Sequence, residues 1–145
     1  AQLRRAAGEL LMRVALDTRV VSELAKRDCH ERVLSWARQF RSAELLLPSP
    51  CWAEIRRGID LLPDGRRRQD LSIRLTAMVD GMGGVLSFGR LEAELYGELM
   101  SEPGRPRPTL DAMIAAVCKV NDLPLATRNV RDFDGCGIDV VDPWA

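Results

Sequence analysis

Apolar positions along the chain gather in short runs at 13–16, 45–47, 85–88, 123–127 and 138–141, each bounded by turn residues. Runs of this length read as strands buried on both faces of a parallel sheet. Between them the apolar residues recur at helical spacing, predicting helices over 20–26, 31–40, 50–61, 66–79, 91–100 and 110–120. The stretch 66–79, for instance, places Leu71, Leu75, Met78 and Val79 on one face. The pair 20–26 and 31–40 is broken near Asp28. Ser49 followed by Pro50 predicts an N-cap and a first helical position. The glycine-rich run at 81–84 lacks the Lys-Ser/Thr of a phosphate loop and precedes a strand, so it reads as a turn. Alternating strands and helices predict a three-layer α/β/α sandwich around a mostly parallel, roughly five-stranded sheet. Residues 12–145 form one domain in this reading. Residues 1–11 form an amphipathic extension, with Met12 a candidate natural start.

Composition narrows the function classes. The 145 residues suffice for one core without covalent staples, and 46% apolar with 29% charged residues is ordinary for a globular protein. No apolar run approaches the ~20 residues of a membrane span, and the opening residues do not read as a secretion signal, so a cytoplasmic location is expected. Cys29, Cys51, Cys118 and Cys136 stand singly, and His30 is the sole histidine. Zinc-type ligation is therefore poorly supported, and any hydrolysis must proceed without a histidine base. Formal net charge is zero, although 19 of the 21 basic residues are arginine. A nucleic-acid substrate would have to meet a local patch, because overall charge offers no attraction.

The carboxylates carry the chemistry. Asp17 follows the first strand, Glu54 lies about one turn into the helix after the second, and Asp132 comes shortly after the fourth. Parallel connectivity points these three to one edge of the sheet. Asp111 heads a helix that precedes the fourth strand, and simple alternation puts it at the opposite edge unless the preceding helix runs back across the sheet. Each acid also has a plainer role open to it. Asp17 could cap a helix, Glu54 could pair with Arg56 or Arg57, Asp111 could complement a helix dipole, and Asp132 could sit in a turn. Drawn together, four like charges are costly unless a cation sits among them. A hard divalent ion, Mg²⁺ or Mn²⁺, suits oxygen donors of this kind.

Four motifs, L-D-T-x-V-V-S-E-L at 16–24, A-E-I-R-R-G-I at 53–59, D-A-x-I-A-A at 111–116 and T-R-N-V-R-D-F at 127–133, resemble those of the PIN-domain toxins of bacterial VapBC toxin–antitoxin systems, including the FitB group. The resemblance runs in order from Met12 to Trp144. It implies a PIN-like sandwich and a metal-dependent endoribonuclease whose acids match Asp17, Glu54, Asp111 and Asp132, all in one pocket. Asp17 and Asp111 would hold Mg²⁺ or Mn²⁺ chiefly, with Glu54 and Asp132 nearby or acting through water. Thr18, Thr127 and Asn129 match supporting polar positions. The chain departs from the family pattern at Arg19, where Asn is usual, and at Gly89, where many relatives carry Asp.

The implied reaction is hydrolysis of an RNA phosphodiester by a metal-activated water, leaving 5′-phosphate and 3′-hydroxyl ends. Arg19, Arg105, Arg107 and Arg128 are candidates for holding the RNA backbone. Trp36, Trp52, Trp144 and Tyr96 form no stacking ladder, which favours recognition of folded RNA by shape. The resemblance further implies a VapB-like antitoxin that lays an arginine among the carboxylates, a homodimer, and DNA contact only through the antitoxin. The competing reading is a catalytically weak binding module, with Arg19 neutralising the pocket, that acts through antitoxin binding and promoter autoregulation. Phosphatases of the haloacid dehalogenase type need an acid two residues after Asp17, where this chain has Arg19.

Overall fold

The computed structural model describes residues 12–145; the extension expected over 1–11 lies outside them. Five strands form one parallel sheet in the order β3-β2-β1-β4-β5. They are β1 (Val14–Leu16), β2 (Leu45–Pro48), β3 (Gly84–Leu86), β4 (Leu125–Ala126) and β5 (Val140–Val141). The central strand β1 is fully buried, whereas β3 at one edge is half-exposed, which is why the central runs are continuously apolar. Register is set by Val14 opposite Leu45, Ala15 opposite both Leu46 and Leu125, and Leu16 opposite Ala126.

Six helices complete the layers: α1 (Thr18–Leu24), α2 (Glu31–Ala37), α3 (Ser49–Asp60), α4 (Arg66–Asp80), α5 (Arg90–Met100) and α6 (Thr109–Val120). α1 packs on α2, α3 and α4, while α5 packs on α6. Right-handed crossovers place the two groups on opposite faces, because β1 to β3 step one way across the sheet and β4 and β5 the other. That reversal makes a topological switch point between β1 and β4, where the crevice beyond the strand ends opens.

One local expectation is corrected, and one open alternative is decided. Ser49 is not an N-cap: Pro48 holds that position, Ser49 lies inside α3, and its Oγ accepts the Phe88 amide at 3.1 Å. The hydroxyl thus ties α3 to the segment after β3. Asp111 does not lie at the far edge. Its helix α6 ends at Val120 and β4 starts at Leu125, and so short a connection requires α6 to run antiparallel to β4 and to begin at the strands' carboxyl ends. A buried acid the sequence did not flag, Glu44, is fully enclosed and accepts the Met12 amide at 2.7 Å and the Arg41 amide at 2.8 Å. It anchors the entry to β2.

Candidate active site

Asp17 stands where β1 ends and the switch point begins. Its backbone amide donates to the Ala126 carbonyl at 2.9 Å, holding it against β4. Oδ1 accepts the Thr18 amide at 2.8 Å and caps α1, so the plain capping role is real. Oδ2 accepts the Thr127 hydroxyl at 2.7 Å, and Thr127 Oγ1 in turn accepts the Asn129 amide at 3.1 Å. Thr127 is fully buried and Asp17 is 8% exposed. Burial raises the Asp17 pKa, the Thr127 and Thr18 bonds oppose that, and the charge of Glu54 pushes it up again.

The other acids gather around it. Asp111 lies in the first turn of α6, and its pKa is raised to about 6, first by burial and then by the charges of Asp132, Asp17 and Glu54. The sequence candidates Asp17, Glu54, Asp111 and Asp132 therefore sit within one another's field. Glu54 is exposed on α3 and leaves Arg56 to other partners, Asp60 at 3.3 Å and Ser72 at 3.1 Å. Asp132 is exposed in a 3-10 turn, Val130–Phe133, anchored by buried Phe133. Among the described residues none of the four acids enters an ion pair. Arg19, exposed in the first turn of α1, acts on Asp17 only as a nearby charge that lowers its pKa.

The donor set suits a hard divalent ion: four carboxylates, all oxygen donors, none of them in an ion pair among the described residues. Among the described residues no three acid, His or Cys side chains close into a cage. Mg²⁺ needs none, since one or two carboxylates and several waters commonly hold it.

Two thiols back this pocket. Cys51 Sγ lies 3.9 Å from Asp17 Oδ1. Burial, then the Asp17 charge, pushes the Cys51 thiol well above its usual range and the Cys118 thiol up to about 12. Both stay neutral and add no charge beside Asp17. Cys51 lies three residues before Glu54, at the buried beginning of the same helix.

The arginine candidates divide. Arg128 is exposed and stacks over the Trp144 ring at 4.9 Å. Arg105 is exposed, with Nε 3.9 Å from a Glu102 oxygen. Arg107 departs from the solvated loop arginine expected: its side chain is 5% exposed and engaged by Glu102, the Asp134 carbonyl and Cys136. His30 is the surface residue expected, capping α2 through Nδ1.

An apolar groove of about 350 Å³ opens beside the acids, lined by Thr18, Glu54, Ile55, Ile59, Leu62 and Leu71 among others. Among the described residues no helix is long and apolar enough to cross a membrane.

The family described as "PIN domain" matches residues 14–135. The chain belongs to the PIN-domain family. Its relatives include a plasmid stability protein, a VapC ribonuclease and a toxin named FitB. The plasmid stability protein StbB of Pseudomonas syringae pv. tomato is 35% identical over 90% of this chain and 98% of its own. The VapC ribonuclease Y4jK of Sinorhizobium fredii is 32% identical over 90% and 97%. Toxin FitB of Neisseria gonorrhoeae is 30% identical over 90% and 98%, and the crystal structure of FitAcB from that organism superposes with a TM-score of 0.82 at 29% identity over 90% and 98%.

Proposed function

We propose that this PIN domain is the endoribonuclease toxin of a type II toxin–antitoxin pair and that it depends on Mg²⁺ or Mn²⁺. The observation that carries the reading is four carboxylates in one field, none of them in an ion pair among the described residues. A divalent ion held by Asp17 and Asp111 would supply an activated water and offset charge growing on the scissile phosphate. Thr127 and the Thr18 amide fix the Asp17 carboxylate in one orientation, while Glu54 and Asp132 stand at the rim, free to accept hydrogen bonds from water. Arg19 and Arg128, both exposed, are placed to meet the RNA backbone.

The family relatives support the same reading, since one of them is a VapC ribonuclease and another a toxin. A FitAB assembly, 27% identical to this chain with a TM-score of 0.79, is known bound to an IR36 DNA fragment. For this chain we therefore infer a VapB-like antitoxin whose apolar segment enters the groove beside Glu54, with DNA bound only through that partner, and a homodimeric toxin. An antitoxin arginine among the acids would compete with metal and RNA together.

The test is RNA incubation with the purified chain in Mn²⁺, in EDTA, and as Asp17→Ala. Cleavage is expected with Mn²⁺ only, giving 5′-phosphate ends, and a fall of at least 10²-fold in Asp17→Ala. Equal cleavage by Asp17→Ala ends the reading. The influence of Arg19 on Asp17 favours one second reading, a weak enzyme working through antitoxin binding. Antitoxin capture without metal-dependent cleavage would select it.

A further inference from the structure

Asp111 and Asp132 come from separate stretches of chain, and their like charges oppose close approach. The segments bearing them are nevertheless joined by one side chain. Arg107 sits four residues before Asp111. Its Nη1 donates to the Asp134 carbonyl at 3.0 Å and lies 2.9 Å from Cys136 Sγ, two and four residues after Asp132. Nη2 donates to Glu102 Oε2 at 2.8 Å. Glu102 raises the Arg107 pKa, and Arg107 holds the Glu102 carboxyl below its ordinary range. Gly135, between the two acceptor residues, has φ +75° and packs against the end of Arg105, with Arg107 Nη2 at ordinary contact distance from its would-be Cβ.

We propose that Arg107 is a positioning residue for the acid site: its buried guanidinium fork fixes the 102–107 segment to 134–136 and so sets the spacing of the Asp111 and Asp132 carboxylates. The proposal rests on the reading of those acids as the metal-holding set. Stability alone does not account for the residue. Its Nε is buried with no hydrogen-bond partner, a costly condition, and its ion-pair partner Glu102 is exposed, so the pair itself adds little stability. What a methionine would not supply is the planar fork, whose donors reach a backbone carbonyl, a buried thiol and a carboxylate on the two segments at once. Side chains that orient metal ligands without touching the metal commonly change its affinity 10–100-fold.

The experiment titrates Mn²⁺ alone into the full chain by calorimetry, for wild type, Arg107→Met, Glu102→Gln and Asp17→Ala, with urea unfolding and RNA cleavage measured alongside. Expected are Mn²⁺ binding about 10-fold weaker in Arg107→Met and about 3-fold weaker in Glu102→Gln. Unfolding midpoints should stay close to wild type, KM for RNA unchanged, and cleavage rates restored by excess Mn²⁺. Wild-type Mn²⁺ affinity in folded Arg107→Met overturns the proposal. If that variant does not fold, wild-type affinity in Glu102→Gln overturns it instead. Failure of the underlying reading looks different: the wild-type chain itself would not bind Mn²⁺, or Asp17→Ala would bind it equally well, and both claims would fall.

Discussion

Thr127 and Arg19 act on the same carboxylate, one through a hydrogen bond and the other through charge alone. Thr127 is buried and bonds Asp17 Oδ2, opposing the rise that burial imposes on the Asp17 pKa. Thr127→Val keeps the shape and deletes the donor, leaving Asp17 with less support for its charge. The expected outcome is a loss of about 1–2 kcal/mol in urea unfolding, together with an acid limb of the pH–rate profile displaced to higher pH. Arg19 is exposed and holds its charge near Asp17 without bonding to it. Arg19→Asn should tighten Mn²⁺ binding several-fold, because a competing positive charge is gone, and raise KM for RNA several-fold, because a phosphate partner is gone. Calorimetry and steady-state kinetics read the two effects separately; unchanged values for both would show that Arg19 only faces solvent.

Among the elements, the edge pair β2–β3 shows how little freedom the site-bearing frame has. Gly83 passes so close to the Ala43 carbonyl that a Cβ there would lie 2.1 Å from the oxygen. The clash is with backbone, so Gly83→Ala should destabilise by about 1–3 kcal/mol, measurable as a lower urea midpoint, with β3 shifted away from β2. The sequence marked this run as a turn, but the need for glycine at one position arises from a neighbour forty residues away and leaves no local trace. Ser49 teaches the same lesson: its residue type predicts a cap, and only the placement of Phe88 converts it into a tie between elements. By contrast Asp17, Glu54 and Asp132 were legible because parallel connectivity alone carries the ends of three strands to one edge. Asp111 required the further step that a helix leading directly into a strand begins at that strand's far end. Arg107 was misread because an arginine in a proline-rich loop looks solvated, and its burial depends on Cys136 and Asp134, which no spacing connects to it.

At the scale of the whole molecule, the fold gathers like charges at the switch point, and this has a consequence for stability. The Asp111 pKa is raised to about 6 in the folded chain, against an ordinary value of 3.8. Between these values the folded state holds a proton that the unfolded state has released, so stability falls as pH rises through the window from about 4 to about 6 and is level above it. Asp17 shifts in the same direction. Glu23 and Glu102, held low by His30 and Arg107, oppose this only at more acid pH, where their protonation costs stability. Urea unfolding of the metal-free chain at pH 5 and pH 7.5 should therefore find it more stable at pH 5. Asp111→Asn, which has no proton to lose, should flatten most of that difference. Mn²⁺ binds the folded state and competes with the proton, so it should stabilise the chain strongly at pH 7.5, weakly at pH 5, and much less in the Asn variant. A metal-free chain that gains stability from pH 5 to pH 7.5, or equal Mn²⁺ stabilisation in both variants, would mean that Asp111 carries no such strain.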